Sequence, residues 1–417
     1  MSSSSTDKQQ SFTGPLSGIR VLDIGQVVAG NFCGALLAYF GADVIKVEPP
    51  ERGDALRHLR SLDPSGTSYW WRTYGRNRRC ITVDLHKQEG RDLVKKLTNN
   101  VDVLLENFRS GVMEKWGLGP ADLNQNLIYT RISGYGQTGP KATHAGYASV
   151  CEAAAGFRSV NGYPDRPPVR PNISLGDSLA GLHAAFGTVM ALLYRLKTGN
   201  NGSSGGQVVD AAITESMFNM MEGCLTEYAH TGQIRPPSGS TISGVVPSGT
   251  FKAKDNKYIV IGGNGNSVYN RLVEAMGKED MGLGNPKFAT DSARCENEKE
   301  VMDVIEKWVE ERGSEEVLKV MEKARVPAGL IMDIADVMED EQYKARGMFE
   351  KAKIVGSNGN GGEEEEVVVP RLSPVLSKTP GSTKWAGPSL GEHTEEVLRE
   401  FGLSGKEIQS LRDCGAI

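Results

Sequence analysis

The hydrophobic positions of this chain fall into short blocks whose period alternates between strand and helix. Residues 19–24 form a short apolar strand, 32–40 an apolar helix and 44–47 a second strand, which together make a β-α-β unit. Strands at 80–85, 101–105 and 127–132, with helices at 90–97 and 121–124, continue the alternation. Such a series predicts a parallel sheet covered by helices. Residues 178–196 then read as one long buried helix, 198–206 as a Gly/Asn/Ser loop, 207–210 as a strand and 217–230 as a further helix. From 231 to 249 the chain turns rich in Pro, Gly and Ser, the composition of a crossing between domains. A strand at 257–261 and amphipathic helices at 268–276, 298–312 and 314–324 suit a small α+β domain, and Pro327 ends that block. The acidic run 363–366, between a Gly/Asn turn and a strand at 367–369, reads as a solvated hairpin tip. The stretch GEHTEEVLREFGLSGKEI predicts two short capped helices around Gly402.

Length and composition narrow the function. A chain of 417 residues exceeds one ordinary core and predicts a large domain with a smaller one. The longest unbroken apolar run, 189–194, is far below a membrane span, so a soluble protein with no membrane partner is expected. The net charge of −5 and the absence of a long basic run argue against nucleic acid as a partner. Six scattered cysteines without a Cys-x-x-Cys pair point to a reducing compartment, and six dispersed histidines leave no zinc-like ligand spacing, so no metal is expected. The opening MSSSSTDKQQ lacks both the apolar core of a secretory signal and the arginines of a mitochondrial presequence. The expected location is therefore the cytoplasm, with the mitochondrion as alternative, and residues 1–14 are expected to be disordered.

One motif invites a redox reading. The first strand leads through Gly25 into Gly30 and Gly34, and Glu48 follows the next strand where a ribose-binding acid would stand. A dinucleotide turn needs two glycines separated by one residue, and position 27 is Val. The fold expectation survives; a nicotinamide cofactor does not.

Seven segments in order, PLSGIRVLDIGQVVAG, LLAYFGADVIKVEPPERGD, VDVLLENFRSG, GYGQTGP, LGDSLAG, GQVVDAAI and LGEHTEEVLREFG, resemble the family III CoA-transferases (the CaiB/BaiF group) across nearly the whole chain. The resemblance implies an α/β fold: a Rossmann-like large domain formed by both chain ends, an inserted smaller α+β domain, and an interlocked homodimer with its site at the subunit interface. The implied boundaries are 15–228 for the first part of the large domain, 229–330 for the small domain and 331–417 for the return. It further implies an acyl-CoA:carboxylate CoA-transferase acting on acyl-CoA and small carboxylic acids, with a succinyl-CoA-type or other short acyl donor. The CoA thioester is then a substrate, and no cofactor is bound permanently.

Within ISLGDSLAG the resemblance assigns the nucleophile to Asp177. Read alone, an aspartate before a helix is an N-cap; the surrounding motifs turn it into the residue that forms an aspartyl anhydride and then an aspartyl-CoA thioester. The implied CoA groove runs over Val28, Ala29, Val83 to His86, Asn107, Phe108, Arg109, Lys115 and Ile132 to Tyr135. Arg76, Arg78 and Arg79 are nearby candidates for phosphate contacts, of which one or two are expected to touch ligand. Gly262 and Gly263 are candidates for a loop that covers the site and offers N–H groups to an oxyanion, although the same glycines suit an ordinary turn after a strand.

Two positions depart from related enzymes. Formyl-CoA transferases carry a lysine where this chain has Ser133, which weakens formyl or oxalyl chemistry. The racemases of the family use a His-Asp pair where this chain has Tyr147 and Ala148, neither of which is a base near neutral pH. An α-methylacyl-CoA racemase is thus the alternative reading, and a silent CoA-binding scaffold a third that the retained Asp177 argues against.

Overall fold

The computed structural model describes residues 13–198, 205–354 and 365–417. Residues 1–12 of the start expected to be disordered, most of the loop 198–206 and half of the acidic run 363–366 lie outside the described residues. The chain divides into two compact units. The first takes in the described residues up to Ala155, then Pro171–Met220 and Gln342–Ile417; the second is Gly156–Arg170 with Met221–Glu341.

The first unit is built on β1 (Arg20–Asp23), α1 (Ala29–Tyr39), β2 (Asp43–Glu48), β3 (Arg78–Thr82), α2 (Gln88–Thr98), β4 (Val103–Glu106), β5 (Ile128–Ser133), α3 (Ala148–Ala154), α4 (Leu175–Thr198), β6 (Gln207–Ala212) and α5 (Ile213–Phe218). All six strands pair in parallel in the order β3-β2-β1-β4-β5-β6. This is the doubly wound order, and its direction reverses between β1 and β4. Helices α1 and α4 share one apolar core with the sheet, while α2 and the C-terminal helices share another.

In the second unit β7 (Ser248–Lys252), β8 (Tyr258–Gly262) and β9 (Ala328–Leu330) form an antiparallel sheet. Helices α6 (Asn266–Ala275), α7 (Glu298–Glu310) and α8 (Ser314–Ala324) bury their apolar stripes in the same core. The returning chain adds the antiparallel pair β10 (Phe349–Lys353) and β11 (Glu366–Pro370), then α9 (Thr394–Glu400) and α10 (Gly405–Asp413). Ser404 and Glu407 form a reciprocal capping box on α10, and Gly402 adopts φ +83° between the two helices.

Three expected elements differ. Residues 121–124 form a turn, because the Gly119 N–H is taken by the Asp122 carboxylate at 3.0 Å before a helix can start. The helix expected at 217–230 breaks into α5 and a separate helix, Cys224–Thr231, at Glu222, whose φ is +48°. The segment Gly156–Arg170 belongs to the second unit, where the Gly162 carbonyl accepts from the Gly239 N–H at 2.9 Å. Such a distant partner leaves no local trace in composition.

Helix α4 begins at Leu175 and is buried on one side only. Ala180, Gly181, Ala184 and Ala185 are buried, whereas Leu182, Phe186, Met190, Leu193 and Leu196 are exposed. A uniformly apolar helix reads as buried all round, which is why the sequence pattern misassigned this face. By length and by a mean hydropathy of 1.4 over its most apolar window, α4 meets the requirement for a membrane crossing, alone among the described helices.

The small residues of α4 have a steric cause. A Cβ at Gly181 would stand 2.7 Å from the Ala29 carbonyl oxygen and 3.2 Å from the Cys33 amide nitrogen. Gly181→Ala is therefore expected to cost about 1–3 kcal/mol, seen as a lower denaturant midpoint. Gly405→Ala, where an added Cβ meets nothing within 4 Å, should leave the midpoint unchanged or raise it.

Candidate active site

In a doubly wound sheet the crevice beyond the strand ends, where strand order reverses, is the natural place for a ligand. Here a cavity of about 180 Å³ opens at that point. Its walls come from the turn after β1 (Gln26 to Ala29), from Asn107 and Phe108 after β4, from Ile132 to Gly134 at the end of β5, and from Ile213 after β6. Gly146, Tyr147 and Asp177 complete it.

Asp177 is the third residue of α4, inside its first turn and not the residue before the helix. Helix phase explains its position. Asp177 lies one turn before Gly181 and shares its face, and Gly181 is where α4 touches the start of α1. A carboxylate is also favoured in the first turn of a helix. Neighbouring glycines let the other walls close in. A Cβ at Gly134 would meet the Gly146 Cα at 2.9 Å, and one at Gly176 would meet Ile213 Cγ2 at 3.0 Å. The Gly176 N–H donates to buried Glu152 at 3.1 Å, tying the start of α4 to α3.

Helix α1 starts without a cap. Val28 occupies the capping position and offers no side-chain acceptor, and the first turn holds no acidic residue. The first N–H groups of a helix lack intrahelical partners; among the described residues those of Val28, Ala29 and Gly30 donate to no protein acceptor. Val28 and Ala29 line the same cavity as Asp177.

The preceding turn is tightly held. Val27 has φ +57°, a strained value for a β-branched residue. Asn107 accepts the Gln26 N–H at 2.7 Å and donates back to the Gln26 carbonyl at 2.8 Å. Asp54 accepts the Val27 N–H at 3.0 Å and is itself paired with buried Lys46 at 3.1 Å. Gly25 and Gly30 touch, since a Cβ on Gly30 would stand 3.0 Å from the Gly25 Cα, and one on Gly34 would stand 2.6 Å from Asp23 Oδ2. The glycines that imitate a dinucleotide motif thus serve backbone packing.

Two further cavities continue the first. One of about 60 Å³ shares Gln26 and Phe108 with it and is walled by Val83, His86 and Trp116. The next, about 650 Å³, shares Gln26, Pro49, Asp84 and His86 with the second and carries Arg52, His58 and Lys87. Trp116 meets Phe108 at 5.1 Å and His86 at 5.9 Å between ring centroids, edge to face.

Eleven of the residues expected from the sequence, Val28, Ala29, Val83 to His86, Asn107, Phe108 and Ile132 to Gly134, line this connected groove with Asp177. Tyr135 is half-buried against His144 and lines none of the three cavities. Arg109 and Lys115 are exposed and also stand outside them.

The arginines expected at phosphate are corrected. Arg76 is fully buried and donates to the Thr73 and Pro370 carbonyls, and burial pushes its guanidinium down to about 10. Arg78 is bound to Asp23 and Asn31, and Arg79 to Asp43 and Glu400. None of the three reaches the groove.

The oxyanion role of the glycine loop is corrected as well. The N–H groups of Gly262 and Gly263 donate to the carbonyls of Pro327 and Pro247, each at 2.9 Å, so neither is a free oxyanion donor. Sequence reasoning missed Gln26, Arg52, His58, Trp116 and Lys87. Gln26 and Arg52 lie in quoted motifs, yet nothing local marks them as groove residues.

The family model for CoA-transferase family III matches residues 16–394. The chain belongs to that family. The succinyl-CoA–D-citramalate CoA-transferase of Chloroflexus aurantiacus is 40% identical over 402 residues, which cover 95% of this chain and 97% of that protein. The succinate–glutarate CoA-transferase of Agrobacterium fabrum is 32% identical, over 93% of this chain and 96% of its own length. A CaiB/BaiF family protein of Brucella suis has the same fold, with a TM-score of 0.79 and 31% identity over 93% of this chain and all of its own. This family III CoA-transferase is thus an enzyme that transfers CoA between an acyl-CoA and a carboxylic acid.

In this CoA-transferase the two positions that the resemblance gives to a racemase's base pair carry neither an imidazole nor a carboxylate. Tyr147, 77% exposed, and Ala148 stand where a His-Asp pair would be needed. The thiol beside the site is silent: burial, followed by the charges of Asp177 and Glu152, pushes the Cys151 thiol up to about 11. At pH 8 it stays protonated. Iodoacetamide at that pH should label exposed Cys414 and leave Cys151 unmodified, as read by peptide mass spectrometry.

Proposed function

We propose that Asp177 is the covalent nucleophile of this CoA-transferase and that CoA lies along the three connected cavities. The observation that carries this reading is the pairing, in one cavity, of a carboxylate in a helix's first turn with the uncapped N-terminus of α1. An Asp177 oxygen attacks the acyl carbonyl of the donor; the carbon–sulfur bond breaks, giving a mixed anhydride and CoA thiolate. The thiolate attacks the aspartyl carbonyl and releases the donor acid, leaving an aspartyl-CoA thioester. The acceptor carboxylate attacks that thioester, forming a second anhydride and freeing thiolate again. Attack of the thiolate on the acceptor's acyl carbon yields the new acyl-CoA and restores the carboxylate. No net proton is consumed.

Each attack gathers negative charge on a carbonyl oxygen, and fixed N–H donors in a sheltered site meet that demand. The N–H groups of Val28 and Ala29 take this role, in place of the glycine loop. The aromatic slot between Phe108 and Trp116 suits the pantetheine arm, and Arg52, His58 and Lys87 suit the phosphates. Dicarboxylic acyl groups such as succinyl are the proposed donors, supported by the names of the two relatives above.

Asp177→Ala should abolish exchange, with turnover at least about 10³-fold slower. Wild-type enzyme quenched during turnover of succinyl-CoA with glutarate in hydroxylamine should carry a hydroxamate at Asp177 by mass spectrometry. Product formation with that side chain unmodified would sink the reading.

The enzyme acts as a homodimer in a reducing compartment, which its six free thiols support. The exposed stripe of Leu182, Phe186, Met190, Leu193 and Leu196 on α4 is the surface that a second copy covers. A partner subunit suits it better than lipid, because the opposite face packs on α1 and Arg195 pairs with Asp102 at 2.6 Å. In an interlocked homodimer the chains part only on unfolding, so Phe186→Glu combined with Leu193→Glu should replace the dimer by unfolded or aggregated chain in analytical ultracentrifugation. A variant that stays dimeric would place the interface elsewhere.

A further inference from the structure

The turn between β1 and α1 joins a strained backbone to an unusual set of restraints. Val27 holds φ +57° although it is β-branched, a conformation that persists only where the surroundings impose it. Four hydrogen bonds to the backbone of Gln26 and Val27 do so. Asn107 bonds to both the N–H and the carbonyl of Gln26, as a neighbouring strand would. Asp54 takes the Val27 N–H, and buried Asn31 donates both to the Val27 carbonyl and to Asp54 at 2.8 Å. Behind Asp54 stand buried Lys46 and the Asp54 N–H bond to Glu48 at 2.9 Å. The carboxamide of Asn107 is thereby committed to the backbone, whereas the family resemblance made it a ligand contact.

We propose that Asn107 and Asp54 are positioning residues that force Val27 into the left-handed conformation and so fix the start of α1 at the cavity holding Asp177. The inference rests on the proposed catalytic role of that cavity. Strain at a reacting site is maintained by neighbouring contacts, and a displacement of about 1 Å there costs on the order of 10²-fold in rate. Asp54 is a poor first target, because its removal strips buried Lys46 of a partner. Asn107 carries no charge and is the cleaner probe.

Glycine adopts positive φ without steric cost, so a V27G background removes the need for the clamp. The test is a double-mutant cycle of N107A and V27G, read as kcat for succinyl-CoA with glutarate and as thermal midpoint without substrate. N107A should lower kcat about 30–100-fold in the wild-type background and no more than about threefold in the V27G background. The midpoint lost to N107A should likewise shrink in the V27G background. Equal effects of N107A in both backgrounds, in rate and in midpoint, would overturn the proposal and return Asn107 to direct ligand contact. An N107A protein with wild-type kcat would overturn it too. Should N107A fail to fold, N107D serves instead: it keeps the acceptor for the Gln26 N–H, loses the donor, and should show a smaller loss with the same dependence on position 27. The midpoint arm needs no substrate, so failure of the clamp and failure of the transfer reading remain distinguishable.

Discussion

The crossing of α1 and α4 at Gly181 is the contact on which the site depends. Two helices approach this closely only where one presents no side chain, and a methyl group at position 181 would sit 2.7 Å from the Ala29 carbonyl. One helical turn before that point lies Asp177, and at the other side of the contact lies the uncapped start of α1. A carboxylate and a set of unpartnered N–H groups are brought together by a missing Cβ. The role proposed for Asp177 rests on that proximity: a carboxylate is a weak nucleophile that becomes useful when an activated carbonyl is held against it and the developing charge is met by fixed dipoles.

Beneath this contact lies a buried polar cluster that an ordinary parallel sheet would not carry. Strand β2 is buried at every position yet includes Asp43, Lys46 and Glu48. Lys46 pairs with Asp54 and approaches Asp23 at 3.9 Å, Arg78 pairs with Asp23, and Arg57 pairs with Glu48 at 2.7 Å. Burial raises the Asp23 carboxyl, and Lys46 and Arg78 oppose that shift. Such clusters add little net stability compared with apolar residues of the same volume, but breaking one partner is costly. Their geometric consequence here is a rigid floor under the turn at residues 25–28, which the groove uses directly.

That cluster also explains how the sequence misled. Arg76, Arg78 and Arg79 look like a phosphate-binding group because arginines at a strand start are ordinarily solvated. Asp23, Asp43 and Glu400 are far from them in sequence and next to them in space, so three cations were already neutralised or enclosed before any ligand arrived. The cations that do border the groove, Arg52 and Lys87, come from loops after β2 and β3 whose local pattern is unremarkable. Trp116 is similar: only the fold brings it against Phe108 and His86.

The sequence by itself determined the alternating α/β character of the first half, the β-α-β start and much of the lining of the cavity that holds Asp177, because apolar periodicity and contiguous motifs are local properties. Val28, Ala29, Asn107 and Phe108 were legible for that reason. Tertiary structure alone decided which polar groups remain free to act. Hydrogen bonding exhausts donors: once Pro327 and Pro247 take the N–H groups of Gly262 and Gly263, these two residues lose the oxyanion role their type suggests. Among the described residues the first N–H groups of α1 meet no protein acceptor, because Val28 cannot cap them, and that outcome depends on partners distant in the chain.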